Sequence, residues 1–185
     1  MLQHFHRIAT GIDVSGAVAQ IADHPELWNA HPGRTREDSP HYGVPDIWVR
    51  FRDPAELTTP ESFREAHTAM NYPAWDALPA VGVITNLLMD KVRPKELGGI
   101  LITKIPSGGL VKPHHDRGGW HAEYYNTKVY VPLKSNDSCI NYCEDEFLMI
   151  RAGEAVIFNN LLMHSVENNG TTDRITLIVC MRTEK

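Results

Sequence analysis

The chain has 185 residues, 42% hydrophobic and 22% charged, with a net charge of −5. This describes an ordinary globular protein, long enough for one domain over residues 1–185 with a sizeable core. The acidic balance disfavours nucleic acid as a partner, no apolar run approaches the roughly 20 residues that span a bilayer, and the N-terminus lacks the apolar run of a signal peptide, so the expectation is a cytoplasmic protein.

In chain order, residues 1–9 alternate well enough for a short strand, in which His4 and His6 have no evident third partner. Asp13-Val14-Ser15 predicts a helix start, with Asp13 or Ser15 as cap, before the apolar run to Ala22. Residues 24–45 are rich in Pro, Gly, His and charge and read as a long loop, of the kind that often walls an active site. Asp46 to Phe51 predicts a strand with Ile47, Val49 and Phe51 on one face and Trp48 and Arg50 on the other. Pro60 to Ala66 predicts a helix opened by its proline, and Val81 to Val92 a second one, striped by Val81, Ile84, Leu87, Leu88 and Val92 and ended before Pro94.

After Gly98-Gly99 the texture changes to short β-rich runs punctuated by Gly, Asn and Asp: 100–105, 110–116, 126–133, 138–143, 146–150, 154–158, 162–167 and 173–182. The expected fold is mainly β with flanking helices: residues 1–98 as an N-terminal strand and helix support, residues 99–185 as a double-stranded β-helix, a cupin-like jelly roll. Cys139, Cys143 and Cys180 form no CxxC pair and no even-numbered framework, and are expected to be reduced thiols.

His114 and Asp116 lie two apart in an extended run, which puts an imidazole and a carboxylate on one face, with His115 on the other. A remote histidine on a neighbouring strand, His164, completes two imidazoles and one carboxylate, the facial triad that binds Fe(II) and leaves open positions. Arg174 opens the last strand, with Thr176 two residues on, and an inward guanidinium there calls for an anion. Chance HxD tripeptides are common, so the signal lies in all four parts together.

On Pro113-His114, the strand Lys128 to Leu133, the run Gly153 to Asn160 leading to His164, and Arg174, the segment 99–182 resembles the Fe(II)/2-oxoglutarate-dependent oxygenases, and within them the aspartyl/asparaginyl β-hydroxylase family. The resemblance implies His114, Asp116 and His164 as iron ligands, and Arg174, helped by Thr103 and Thr176, as the clamp on the distal carboxylate of 2-oxoglutarate. Lys128 and Tyr130 would hold its other end, at positions where the family usually carries Arg and His. It further implies hydroxylation of a C–H bond of an amino acid, free or in a peptide or protein, using O2 and releasing succinate and CO2. Asp116 fills the coordination position that related halogenases leave to halide, which favours hydroxylation. The competing reading is a cupin-like metal-binding protein, an isomerase or ligand sensor without oxygenase activity.

Residues 117–125 combine glycines with aromatic and charged groups and read as a lid or substrate wall; Arg117, Trp120 and His121 there, and Arg50, are candidate substrate contacts. Trp28, Trp48 and Trp75 are expected in the core, and Asn159 and Asn160 at the turn before His164, where either could orient a ligand.

Overall fold

The computed structural model of the protein describes residues 2–59 and 61–184. Fifteen helices and strands can be followed in chain order. They are β1 (Phe5–Ala9), α1 (Ser15–Asp23), β2 (Asp46–Phe51), β3 (Met70–Asn71), α2 (Pro73–Ala77), α3 (Pro79–Val92), β4 (Glu96–Ile105), β5 (Leu110–His114), α4 (Trp120–Tyr124), β6 (Thr127–Lys134), β7 (Cys139–Cys143), β8 (Glu146–Leu148), β9 (Ala155–Phe158), β10 (His164–Asn168) and β11 (Arg174–Arg182). All eight strands expected after residue 98 form. They build a seven-stranded sheet in the order β1-β9-β6-β11-β4-β2-β3 and a four-stranded sheet in the order β5-β10-β7-β8, the two sheets of a double-stranded β-helix. No helix among the described residues is long and apolar enough to cross a membrane.

The large sheet is two-faced because its strands alternate. In β11, Ile175, Leu177, Val179 and Met181 join the main core cluster, together with Ile100 and Ile102 of β4 and Val129 and Val131 of β6. Against that face pack Ala17 and Ile21 of α1 and the Val81, Ile84 and Leu88 stripe of α3. The other face of β11 carries Arg174, Thr176, Ile178 and Cys180, which line a cavity between the sheets. A one-residue slip of β11 would exchange the two sets, so the helix-side core fixes which residues reach the cavity.

Several expectations are corrected. The N-terminal segment is more than a support, because β1 forms one edge of the large sheet and β2 and β3 the other. Gly98-Gly99 is no boundary, since β4 starts at Glu96. These glycines answer to close contacts: a Cβ on Gly98 would lie 2.6 Å from the Tyr125 ring, and one on Gly99 2.9 Å from His121 Nε2. The α1 cap is Val14 with no side-chain bond, while Asp13 accepts from the Ser15 N–H and hydroxyl. The helix expected over 60–66 shrinks to a 3₁₀ turn, Glu61–Arg64, with Pro60 outside the described residues. The Ser62 carbonyl, which a continuing helix would offer to residue 66, is shared by the Glu65 N–H and the Arg52 guanidinium. Helix α3 ends as expected, with Arg93 in the left-handed region at φ 52° just before Pro94.

Phe51 leaves the core face. The β2–β4 register shifts between Trp48 and Arg50, and this bulge turns Phe51 toward the cavity, where it packs on Trp48, His67 and His121. Trp48 is buried as expected, yet it too lines the cavity. All three cysteines are free and buried.

Candidate active site

Strands β5 and β10 pair antiparallel with His164 opposite His114, and the imidazole centroids lie 4.2 Å apart. Each ring is oriented by the carbonyl two residues earlier. His114 Nδ1 lies 2.7 Å from the Lys112 carbonyl oxygen and His164 Nδ1 2.9 Å from that of Leu162. A carbonyl only accepts, so both Nδ1 atoms carry the proton and both Nε2 lone pairs are free for a metal. Burial lowers both pKa values, His164 to about 4, which keeps the rings neutral near pH 7.

Strand β5 stops at His114, so Asp116 is aimed by its own bonds rather than by strand alternation. Its N–H donates to the Asn160 carbonyl at 3.0 Å, and its Oδ2 accepts from Asn160 Nδ2 at 2.9 Å and from the Lys128 ammonium. Burial alone would raise the Asp116 pKa, but Lys128, His164 and the Asn160 hydrogen bond together outweigh it and hold the carboxyl far below the usual range. The other oxygen, Oδ1, lies 3.6 Å from His114 Nε2. One donor atom from each of His114, Asp116 and His164 falls within 4.8 Å of the others.

Deeper in the same cavity, Arg174 is buried at 2% exposure on the cavity face of β11. Its Nη2 donates to Asn141 Oδ1 at 3.1 Å, while among the described residues its Nε has no partner and no carboxylate pairs with it. The Thr176 hydroxyl, opposite Thr103 across β11 and β4, is also buried without a partner. Such orphaned donors are costly unless something fills the space between them. A buried cation and an adjoining hydroxyl facing a three-donor cluster fit a bound divalent metal together with a dicarboxylate. Tyr130 is buried beside them with its ring 4.6 Å from that of Phe158, and burial pushes its hydroxyl up to about 12.

The cavity holds about 540 Å³, within the range of small-ligand sites. Arg50, Arg117 and His121 line it, as does the exposed His115. Trp120 does not; it stacks on Tyr124 at 4.4 Å and packs against His67. The short helix carrying it is tied to the sheet by Glu96, which accepts from both the Tyr124 and Tyr125 hydroxyls.

The 24–45 loop walls the cavity, as its length and composition suggested, but sequence reasoning singled out none of its residues. Arg34 bridges the fully buried Asp46 at 3.3 Å and His41 Nδ1 at 3.0 Å, and the His41 ring stands edge-on to His114 at 4.8 Å. Trp48 Nε1 closes the cluster on Asp46 Oδ1 at 3.0 Å. No motif spacing announces this brace, because its members meet only through the loop's path. Asn141 and His67 were likewise silent, each being one polar residue in a β-rich or irregular run.

A family profile described as aspartyl/asparaginyl β-hydroxylase matches residues 74–183. No curated protein sequence matches the chain. Among solved structures, the fold is similar to a prolyl hydroxylase from Trichoplax adhaerens, in complex with a hypoxia inducible factor peptide fragment, with TM-score 0.57 and 12% identity over 97% of this chain and 83% of that one. A Pseudomonas putida prolyl-4-hydroxylase gives 0.54 and 14% over 99% and 95%. A 2OG-Fe(II) oxygenase family oxidoreductase from Burkholderia pseudomallei gives 0.53 and 11% over 77% and 67%.

Proposed function

The chain belongs to the aspartyl/asparaginyl β-hydroxylase family and is a non-haem Fe(II)/2-oxoglutarate-dependent oxygenase, and from that premise we propose that it hydroxylates an unactivated C–H of an amino acid, free or within a peptide or protein. His114, Asp116 and His164 hold the iron in this reading. Arg174 grips the distal carboxylate of 2-oxoglutarate, with Thr103 and Thr176 beside it. The observation that carries the proposal is Arg174 itself: a guanidinium at 2% exposure, without a counter-anion among the described residues, in the same cavity as a three-donor metal cluster. A metal barrel that binds no anionic ligand has no use for such a cation.

When bound, iron with 2-oxoglutarate and O2 supplies the oxidising power that turns a C–H into a C–OH, releasing succinate and CO2. The chain's residues do the rest. The Lys112 and Leu162 carbonyls keep the two imidazoles in the tautomer that offers Nε2. Asn160 fixes the Asp116 carboxylate through Oδ2 and leaves Oδ1 for the metal. Lys128 neutralises that carboxylate and, with Tyr130 in the same cavity lining, would hold the proximal carboxylate of 2-oxoglutarate. Arg174 selects a diacid of the right length by bidentate pairing. Apolar walls from Val111, Val166, Ile178 and Phe158 restrict water around these charges.

The same proposal treats residues 1–185 as one domain, since strands from both halves share the large sheet. It keeps the chain in the cytoplasm, where three buried unpaired cysteines stay reduced. The test is to incubate the iron-loaded protein with 2-oxoglutarate, oxygen and a panel of free amino acids and short peptides. The expected result is succinate release raised by one class of probe, with that probe gaining one oxygen atom. No consumption of 2-oxoglutarate under any condition would reject the proposal.

A further inference from the structure

Beside the metal cluster stands one more histidine whose proton is fixed by its surroundings. His41 lines the cavity from the 24–45 loop, and its ring meets that of His114 edge-on at 4.8 Å. The loop is secured at this point by its backbone. The Lys112 N–H of β5 donates to the Pro40 carbonyl at 3.0 Å, and the His41 N–H to Ser39 Oγ at 3.1 Å. Val44, whose N–H donates to the His41 carbonyl, packs in a cluster with Ile105, Val111 and Val166.

The hydrogen bonds behind the ring run in one direction only. An indole N–H can only donate, and Trp48 Nε1 does so to Asp46 Oδ1 at 3.0 Å. The fully buried Asp46 accepts on its other oxygen from Arg34 Nη1 at 3.3 Å, and Arg34 Nη2 lies 3.0 Å from His41 Nδ1. A guanidinium has no acceptor, so His41 Nδ1 accepts and the neutral ring carries its proton on Nε2. That N–H bonds to no described residue. His114 and His164 have the opposite polarity, because carbonyls hold their protons on Nδ1. Two rings therefore turn lone pairs to the metal cluster, and a third turns a donor into the same cavity. With Nε2 protonated, His41 is no fourth ligand, and the three-donor cluster does not include it.

The cavity wall offers this donor no carboxylate. Among the described residues Asp116 is the only one in the lining, with Oδ2 taken by Lys128 and Asn160 and Oδ1 beside His114 Nε2. The acceptor arrives with a ligand. A neutral N–H suits an oxygen that gains negative charge at a metal, and it adds no positive charge to repel the ion.

We propose, resting on the oxygenase reading above, that His41 Nε2–H is a fixed hydrogen-bond donor to a ligand oxygen seated at the metal cluster on the His114 side. That oxygen belongs either to 2-oxoglutarate or to dioxygen; both present the same acceptor. Arg34 is a positioning residue, because it acts by holding the His41 tautomer, and Asp46 and Trp48 hold Arg34.

The first test is a two-bond ¹H–¹⁵N correlation spectrum of the histidine-labelled protein loaded with Zn(II). His41 should be protonated on Nε2, with His114 and His164 protonated on Nδ1, and this wild-type spectrum decides the tautomer whatever the fate of any variant. The second test has two anaerobic arms on the Fe(II)-loaded protein. One is titration with 2-oxoglutarate read by visible absorption; the other is titration of the 2-oxoglutarate complex with nitric oxide, a stand-in for dioxygen, read by electron paramagnetic resonance. His41→Phe keeps a ring against His114 but no donor, and should weaken binding about threefold to tenfold in at least one arm, the loss of one neutral hydrogen bond. The arm that moves identifies the source of the oxygen. His41→Gln should restore most of the affinity, since its amide oxygen can accept from Arg34 while its N–H faces the cavity. A His41 protonated on Nδ1, a His41→Phe protein that matches the wild type in both arms, or a His41→Gln protein no better than His41→Phe would overturn the proposal and leave the oxygenase reading standing. Failure of the wild-type protein to bind 2-oxoglutarate would overturn both.

Discussion

Arg174 shows how a residue can serve function against stability. Its charge is buried with one side-chain acceptor, Asn141, and an unpaired Nε, an arrangement that costs the folded state while no anion is present. Replacing it with Met, of similar length and no charge, should leave the melting temperature of the ligand-free protein unchanged or higher. The same change should weaken 2-oxoglutarate binding by roughly a hundredfold, the loss expected of a bidentate charged pair. Lys128 predicts the opposite. Lys128→Met strands the Asp116 carboxylate with only Asn160, which should destabilise the metal-free protein by about 3–5 kcal/mol, as breaking a buried pair does. A divalent cation supplies the missing positive charge, so thermal scans with and without added Fe(II) or Mn(II) should show a larger metal-induced stabilisation in the variant than in the wild type. Equal shifts would mean that Lys128 does not govern the Asp116 charge. His114 and Arg174 could be singled out in the sequence because strand alternation is local geometry. The alternation argument for Asp116 does not hold: β5 ends at His114, and Asn160 and Lys128 orient the carboxylate instead. The Lys128–Asp116 pair could not be singled out, since nothing local says that a cation on β6 reaches a carboxylate past the end of β5.

At the scale of elements, the β5–β10 pairing sets His114 opposite His164, and the helix-side core of β11 fixes Arg174 and Thr176 inward. These strands could be read from alternation alone. The segments that fold over the cavity could not: the 24–45 loop, the turn at Glu61–Arg64 and the short α4 have no sustained period, and their places follow from cross-chain bonds such as Tyr125 hydroxyl to Glu96 at 2.8 Å. Their packing around His121 has a pH consequence. The folded pKa of His121, about 3, lies below the ordinary value of 6.5. Above pH 6.5 neither state carries the proton and the group is silent. As pH falls from 6.5 towards 3 the unfolded chain takes up a proton that the folded one refuses, so stability declines through that window. His121→Phe removes this component, and its urea midpoint should fall less between pH 6.5 and pH 4 than that of the wild type. Parallel declines would show that α4 opens to admit the proton before the chain unfolds.

The whole molecule is a three-layer arrangement in which helices α1 and α3 cover one face of the large sheet and leave the other to chemistry. The N-terminal half, nearly unreadable for function, contributes both edges of that sheet and the Arg34–Asp46–His41 brace against His114. The metal cluster and the buried cation come from opposite sheets, so only the assembled fold brings a diacid and a metal together. The most direct test is an anaerobic titration of the Fe(II)-loaded protein with 2-oxoglutarate, read by visible absorption. A weak metal-to-ligand charge-transfer band should grow to saturation in the wild type, be missing in His164→Ala, and need roughly a hundredfold more 2-oxoglutarate in Arg174→Met. Iron that binds with an unchanged spectrum as 2-oxoglutarate is added would contradict the account.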